Sequence, residues 1–392
     1  MRGLAVCALL LALLLPGTSA LAAEAQEITA SCQMIGKELK SGNCLKDGSY
    51  ESAWLSPGGR NASLRIVAAE GERISAVYMQ FYRTGTAFDV QTQDKEGKWQ
   101  TVSACETDYL TGCAVLETPA SAVRIVPRGE RMYVAEVHVF AEGEMPQWVQ
   151  RWEPPLEKAD LLLISGHPDD EILFMGGTIP YYAGELKKDV QVAYLVPSMP
   201  YRRLELLDGL WLCGVRHYPD LGPFADRYSY NLRELYKMKG WSQESVERYV
   251  VGLYRRYRPE VVVTHDVNGE YGHAVHRAAA DAAQRCVALA ADAGYQEKRL
   301  AYTEPWQVKK LYLHLYEENA LRMDWRKPLV AFGGRTAFDM AEAAFACHIS
   351  QQRTDYKVED FGPYDNAEFG LAFTAVGEDA EKNDFFEHIK AE

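Results

Sequence analysis

From Ala159 onward the chain alternates between runs that are apolar throughout and stretches with helical spacing. This alternation limits the fold more than any other feature. LLLIS, VQVAYLV, VVVTH and KLYLHL have no polar face, so each predicts a strand covered on both sides. Between them ILFMGGTIPYYAGELKK, RRLELLDGLWLCG, SVERYVVGLYRRY and HAVHRAAADAAQRCVALAADAG carry apolar residues at helical intervals. Strands that alternate with helices predict an α/β layer structure, here over residues 159–388.

That pattern implies a Rossmann-like, mostly parallel sheet with flanking helices. The preceding region has a different rhythm. AVYMQFYR, TAFDVQTQD, WQTVSA, AVRIVPR and MYVAEVHVFA alternate at period two, broken by EGK, TGC and RGE. Residues 28–142 are therefore expected to form an all-β jelly roll or β-sandwich. Residues 143–158, rich in proline and tryptophan, read as a linker. Two domains also suit a length of 392 residues.

Charge narrows the partners. A formal net charge of −13 repels phosphate backbones and anionic bilayers, so no nucleic acid is expected as a ligand. Residues 1–22 read as a secretory signal peptide: one early arginine, a short apolar core and Ala20-Leu21-Ala22 before the cut. An uncleaved anchor is the alternative. The expected mature chain is secreted or extracytoplasmic, with no transmembrane segment and an open oligomeric state. Of eight cysteines, Cys32, Cys44, Cys105 and Cys113 allow two short-loop disulfides, Cys32–Cys44 with Cys105–Cys113 as the simplest pairing. Cys213, Cys286 and Cys347 read as isolated thiols.

Chemistry concentrates at two strand ends. Ser165-Gly166-His167-Pro168-Asp169-Asp170-Glu171 follows LLLI directly, and Thr264-His265 through His276 follows VVV. In a parallel sheet both segments open at the carboxyl edge, where ligands gather. Adjacent carboxylates resist burial unless a cation sits among them. A divalent metal held by His, Asp and His, with one position left for water, would satisfy that need. Each piece has a plainer alternative: HPDD is also good turn chemistry, and His273 with His276 would otherwise be surface residues.

The pair GHPDDE and YGHxxH resembles the PIG-L/LmbE-like zinc deacetylases, which act on N-acetylglucosaminyl compounds. The likeness runs over most of residues 160–387 and includes Arg202-x-x-Glu205 before Cys213-Gly214. It implies His167, Asp170 and His276 as zinc ligands, Asp169 as general base and His273 as a second catalytic residue. A protonated His273, with the Tyr271 hydroxyl, would share the developing oxyanion charge. This chain has His273-Ala274-Val275-His276 where the family commonly has HPDH: both histidines are kept, and the contacts that the Pro and Asp would make around them are not implied here. Arg202 and His265 are candidate substrate contacts, with a structural salt bridge or hydrogen bond as an equal alternative. The implied substrate is an amino-sugar glycan or glycoconjugate. Hydrolysis of another amide or ester, and an inactive glycan-binding protein, are the rival readings.

LKDGSYESAWLSPGG, Leu45 to Gly59, resembles the opening of discoidin-like or galactose-binding-like modules, and VAEVHVFAE their last strand. That likeness implies a structural calcium near Asp47 and Glu136, with an ordinary turn aspartate and strand-edge glutamate as the alternative. Trp54, Tyr82 and Trp99 are either sugar-stacking or core aromatics. Asn61-Ala62-Ser63 is a glycosylation sequon.

Overall fold

The computed structural model describes residues 23–58, 62–295 and 303–390. The expected signal peptide, residues 1–22, and Asn61 of the sequon lie outside them. The first region holds nine strands: β1 (Gln33–Gly36), β2 (Trp54–Leu55), β3 (Leu64–Val67), β4 (Ile74–Phe81), β5 (Thr86–Gln93), β6 (Trp99–Thr107), β7 (Thr111–Ala120), β8 (Ala122–Pro127) and β9 (Tyr133–Phe140). They form two antiparallel sheets, in order β1-β3-β8-β5-β6 and β2-β9-β4-β7. Their alternating apolar residues meet in one core: Leu64, Ile66, Phe88 and Val90 from the first sheet, Val77, Met79, Val137 and Val139 from the second. Thr111-Gly112-Cys113, expected as a break, is instead the start of β7. The turn lies earlier, at residues 108–110.

Among the described residues every cysteine is a free thiol, so the pairing Cys32–Cys44 with Cys105–Cys113 is corrected. The two-sheet core closes without it.

The second region contains β10 (Leu161–Ser165), α1 (Asp170–Leu173), β11 (Val190–Tyr194), α2 (Pro200–Leu212), β12 (Asp220–Leu221), α3 (Leu232–Leu235), α4 (Gln243–Tyr257), β13 (Val261–Thr264), α5 (Ala274–Ala291), β14 (Lys310–His314), β15 (Ala320–Arg322), α6 (Ala337–Cys347) and β16 (Glu368–Thr374). Seven strands make one mixed sheet, ordered β12-β11-β10-β13-β14-β16-β15. The first five run parallel, whereas β16 pairs antiparallel with β14 and β15. All residues of β10, β11, β13 and β14 are buried, as continuous apolar strands require.

One expected helix is broken. Residues 172–188 form only the end of α1 and a separate π-type turn at Pro180–Glu185. At Gly177 an added Cβ would sit 2.1 Å from the Trp325 ring. The backbone there is thus pressed against another side chain, and Pro180 lacks the N–H a continuing helix needs.

The chain leaves β10 toward β11 on one side and returns to β13 on the other. β10 and β13 are direct neighbours, with Ile164 opposite Thr264 and the Thr264 hydroxyl donating to the Ile164 carbonyl at 2.7 Å. The strand order therefore reverses between the two motif-bearing strands. Such a reversal opens a crevice at their carboxyl ends. Residues 143–158 are packed rather than free: Val149, Gln150 and Trp152 are buried, and Trp152 sits edge-on to Trp211 and Tyr218. Among the described residues no helix is long and apolar enough to cross a membrane.

Candidate metal centre

The segment after β10 turns sharply at Gly166. A Cβ there would stand 2.9 Å from His276 Cδ2 and 3.0 Å from Asp170 Oδ2, so only glycine lets the backbone come this close. His265 fixes the same turn: its Nε2 accepts the Gly166 N–H at 2.8 Å. Asp169 then adopts φ 111°, a region costly for any residue with a Cβ. Asp170 opens α1 and turns its carboxylate back, where Oδ2 accepts the His167 N–H at 2.7 Å.

That same oxygen lies 2.9 Å from His167 Nδ1 and 3.0 Å from His276 Nε2. The two imidazole centroids are 5.5 Å apart. All three side chains are buried, and His276 Nε2 makes no hydrogen bond of ordinary geometry. Two overlapping groups have ligand atoms mutually within 4.8 Å: His167 with His273 and His276, and Asp170 with His265 and His276. His265 is the weaker member, because both its nitrogens are already engaged. An unpaired imidazole nitrogen converging with a carboxylate and a second imidazole is a donor set that fits one divalent cation.

Glu270, on the loop before α5, organises the rest. Its carboxylate accepts from Nδ1 of His265 at 2.7 Å, of His276 at 2.8 Å and of His314 at 2.7 Å, and also from the Asp266 N–H at 3.2 Å. An ionised carboxylate only accepts, so Nδ1 of His276 carries a proton and Nε2 is the nitrogen turned toward the cluster. Glu270 is held well below the usual carboxylate range: burial would raise it, but His265 and its other histidine partners outweigh burial. Motif reading missed Glu270, although it stands inside GEYGH. It also missed His314, which closes β14 at the same sheet edge as the motifs.

The two aspartates differ in charge state. Burial pushes Asp169 well above its ordinary value, against the pull of Arg202, whose Nη2 lies 2.8 Å away. Asp170 is held well below its value, because His276 and His167 overcome the cost of burial. His276 is carried up to about 10: burial works against its charge, but Asp170 and Glu270 prevail. The expectation of a protonated His273 is corrected. Burial, reinforced by the neighbouring His167 and His276, pushes it down to about 3, so at neutral pH it is an uncharged N–H donor.

The remaining candidates divide. Tyr271 reaches the site, its ring 5.2 Å from that of His276. Arg202 is engaged by Asp169 and by the Pro168 carbonyl, and fully buried His265 bonds Gly166 and Glu270. Exposed Tyr228 and Tyr230 stand at the mouth, Tyr228 5.5 Å from His273. In the first region Asp47 and buried Glu136 lie together, with the Gly48 N–H donating to Glu136 at 3.1 Å. Trp54 is core, whereas Tyr82 and Trp99 are half-buried.

Curated relatives include 1D-myo-inositol 2-acetamido-2-deoxy-alpha-D-glucopyranoside deacetylases. That of Rhodococcus erythropolis is 32% identical over 41% of this chain and 62% of its own length. That of Streptomyces scabiei is 33% identical over 43% of this chain and 60% of its own. The chain thus spans about three fifths of these relatives. Among solved structures, N,N'-diacetylchitobiose deacetylase from Pyrococcus horikoshii is 19% identical, covering 51% of this chain and 74% of that one, with a TM-score of 0.37. Residues 162–287, which hold both motifs and every residue of the cluster described above except His314, match the family model for PIG-L, GlcNAc-PI de-N-acetylase.

Proposed function

We propose that this chain is a secreted, zinc-dependent hydrolase that removes the N-acetyl group from an N-acetylglucosamine-type sugar in a glycan or glycoconjugate. One observation carries the reading: a carboxylate clamped by arginine, Asp169, borders a buried His167–Asp170–His276 cluster within the matched region. The deacetylase relatives support the substrate class.

His167, Asp170 and His276 would hold the ion, which when bound supplies Lewis acidity to polarise the amide carbonyl and acidify water. Asp169, raised by burial, accepts the proton of the attacking water, and Arg202 keeps its carboxylate aimed. Uncharged His273 donates an N–H to the developing oxyanion, with the Tyr271 hydroxyl beside it. Asp169 then returns its proton to the departing amine, and acetate is released. Acetate release from N-acetylglucosamine oligomers tests this: it should stop with chelator and return with zinc. Turnover indifferent to chelator would overturn the metal reading.

The proposal extends to the rest of the chain. Residues 159–388 would form the Rossmann-like deacetylase domain, reached through 143–158. Residues 28–142 would form a galactose-binding-like β-sandwich with calcium at Asp47 and Glu136, and residues 1–22 a cleaved signal.

A further inference from the structure

A second cavity of about 960 Å³ lies between the β region and α2, lined by residues apart from the metal cluster. It is within the size range of small-molecule sites. Its floor is polar and built. Asp208, on α2, accepts from the Tyr50 hydroxyl at 2.6 Å and from the Gln150 amide at 2.5 Å. The Gln80 amide adds a contact at 3.5 Å. Gln80 is 2% exposed, and its Oε1 has no hydrogen-bond partner. A buried carbonyl oxygen left open is costly unless a ligand donor reaches it. At the lip stands Trp148, 44% exposed and edge-on to Tyr78 and His138.

We propose that this cavity binds a pyranose sugar, independently of the metal centre. A pyranose combines a C–H face, which lies against an indole, with hydroxyls that donate to carboxylate and amide oxygens. The other ligand chemistries fit less well. The lining carries both signs of charge, Glu24, Glu27 and Asp208 against Lys187, Arg216 and Arg335, so it offers a phosphate or carboxylate no net attraction. An apolar molecule would leave the Gln80 oxygen unanswered. The site is also separate from Trp54, Tyr82 and Trp99, none of which lines it. It is built jointly by β4, the 143–158 segment and α2, so occupancy would brace the two regions against each other.

Tryptophan fluorescence and calorimetric titration of the full chain test this with glucose, galactose, N-acetylglucosamine and glucosamine. At least one should bind with Kd near or below about 1 mM. Trp148→Ala and the shape-preserving Asp208→Asn should each weaken that binding at least about tenfold. Asp170→Asn, in the metal centre, should leave it unchanged. Thermal melts confirm that each variant is folded. The proposal is overturned if none of the four sugars binds. It is equally overturned if binding survives both cavity variants, or vanishes with Asp170→Asn.

Discussion

Each region brings two carboxylates together near the end of a sheet, both buried in the second region and only Glu136 buried in the first. Beside Asp169 and Asp170 the chain supplies Arg202, His167 and His276. Beside Asp47 and Glu136 no cationic side chain pairs with either acid among the described ion pairs. The nearby Lys46 spends its ammonium on the carbonyls of Thr29, Ala30 and Cys32. Burial, with Asp47 adding to it, therefore pushes Glu136 up to about 8, whereas Asp170 is held down. In the first pair Asp170 is held in its charged form; in the second Glu136 is held toward its neutral one. Identical functional groups thus acquire different chemistry from what the neighbouring strands deliver.

The largest effect should come from the working pair. Asp169→Asn should cut acetate release by about 10²–10⁴-fold with metal content retained; near-normal turnover would remove the distinction between the two aspartates. Next, Glu270→Gln should weaken metal affinity by about 10–100-fold, read by competition with a chromogenic chelator. It deprives three imidazoles of their common acceptor while leaving every ligand in place.

The β region gives a pH test. Because Glu136 is raised in the folded state, its favourable contribution is full below about 4.5 and lost as pH climbs through about 8. Melting temperature should fall across that window. Glu136→Gln should flatten the fall, and calcium should offset it for the parent chain alone. A profile unchanged by Glu136→Gln would end the contrast. Smallest of all, Tyr228→Ala should raise KM by about two- to tenfold with kcat little changed, as expected for loss of one aromatic contact.

Much of this was legible in the residue order. LLLIS and VVVT announce doubly covered strands because no polar face survives in them, and the motifs behind them sit at the sheet edge for the same reason. What stayed hidden depends on contacts distant in sequence. Glu270 looks like any loop glutamate until β13 and β14 bring His265 and His314 to it. The break at Gly177 requires Trp325, 148 positions later (325 − 177). The charge of His273 likewise depends on which imidazoles close around it. Local pattern fixes the strands; tertiary crowding sets the protonation states.

The left-handed backbone at Asp169 has a practical consequence for anyone improving this protein. Glycine is the residue that would relax that angle, so a screen for heat resistance alone would favour Asp169→Gly. The hardier variant would be the silent one under the proposed function, having traded away the proposed proton acceptor for a comfortable turn.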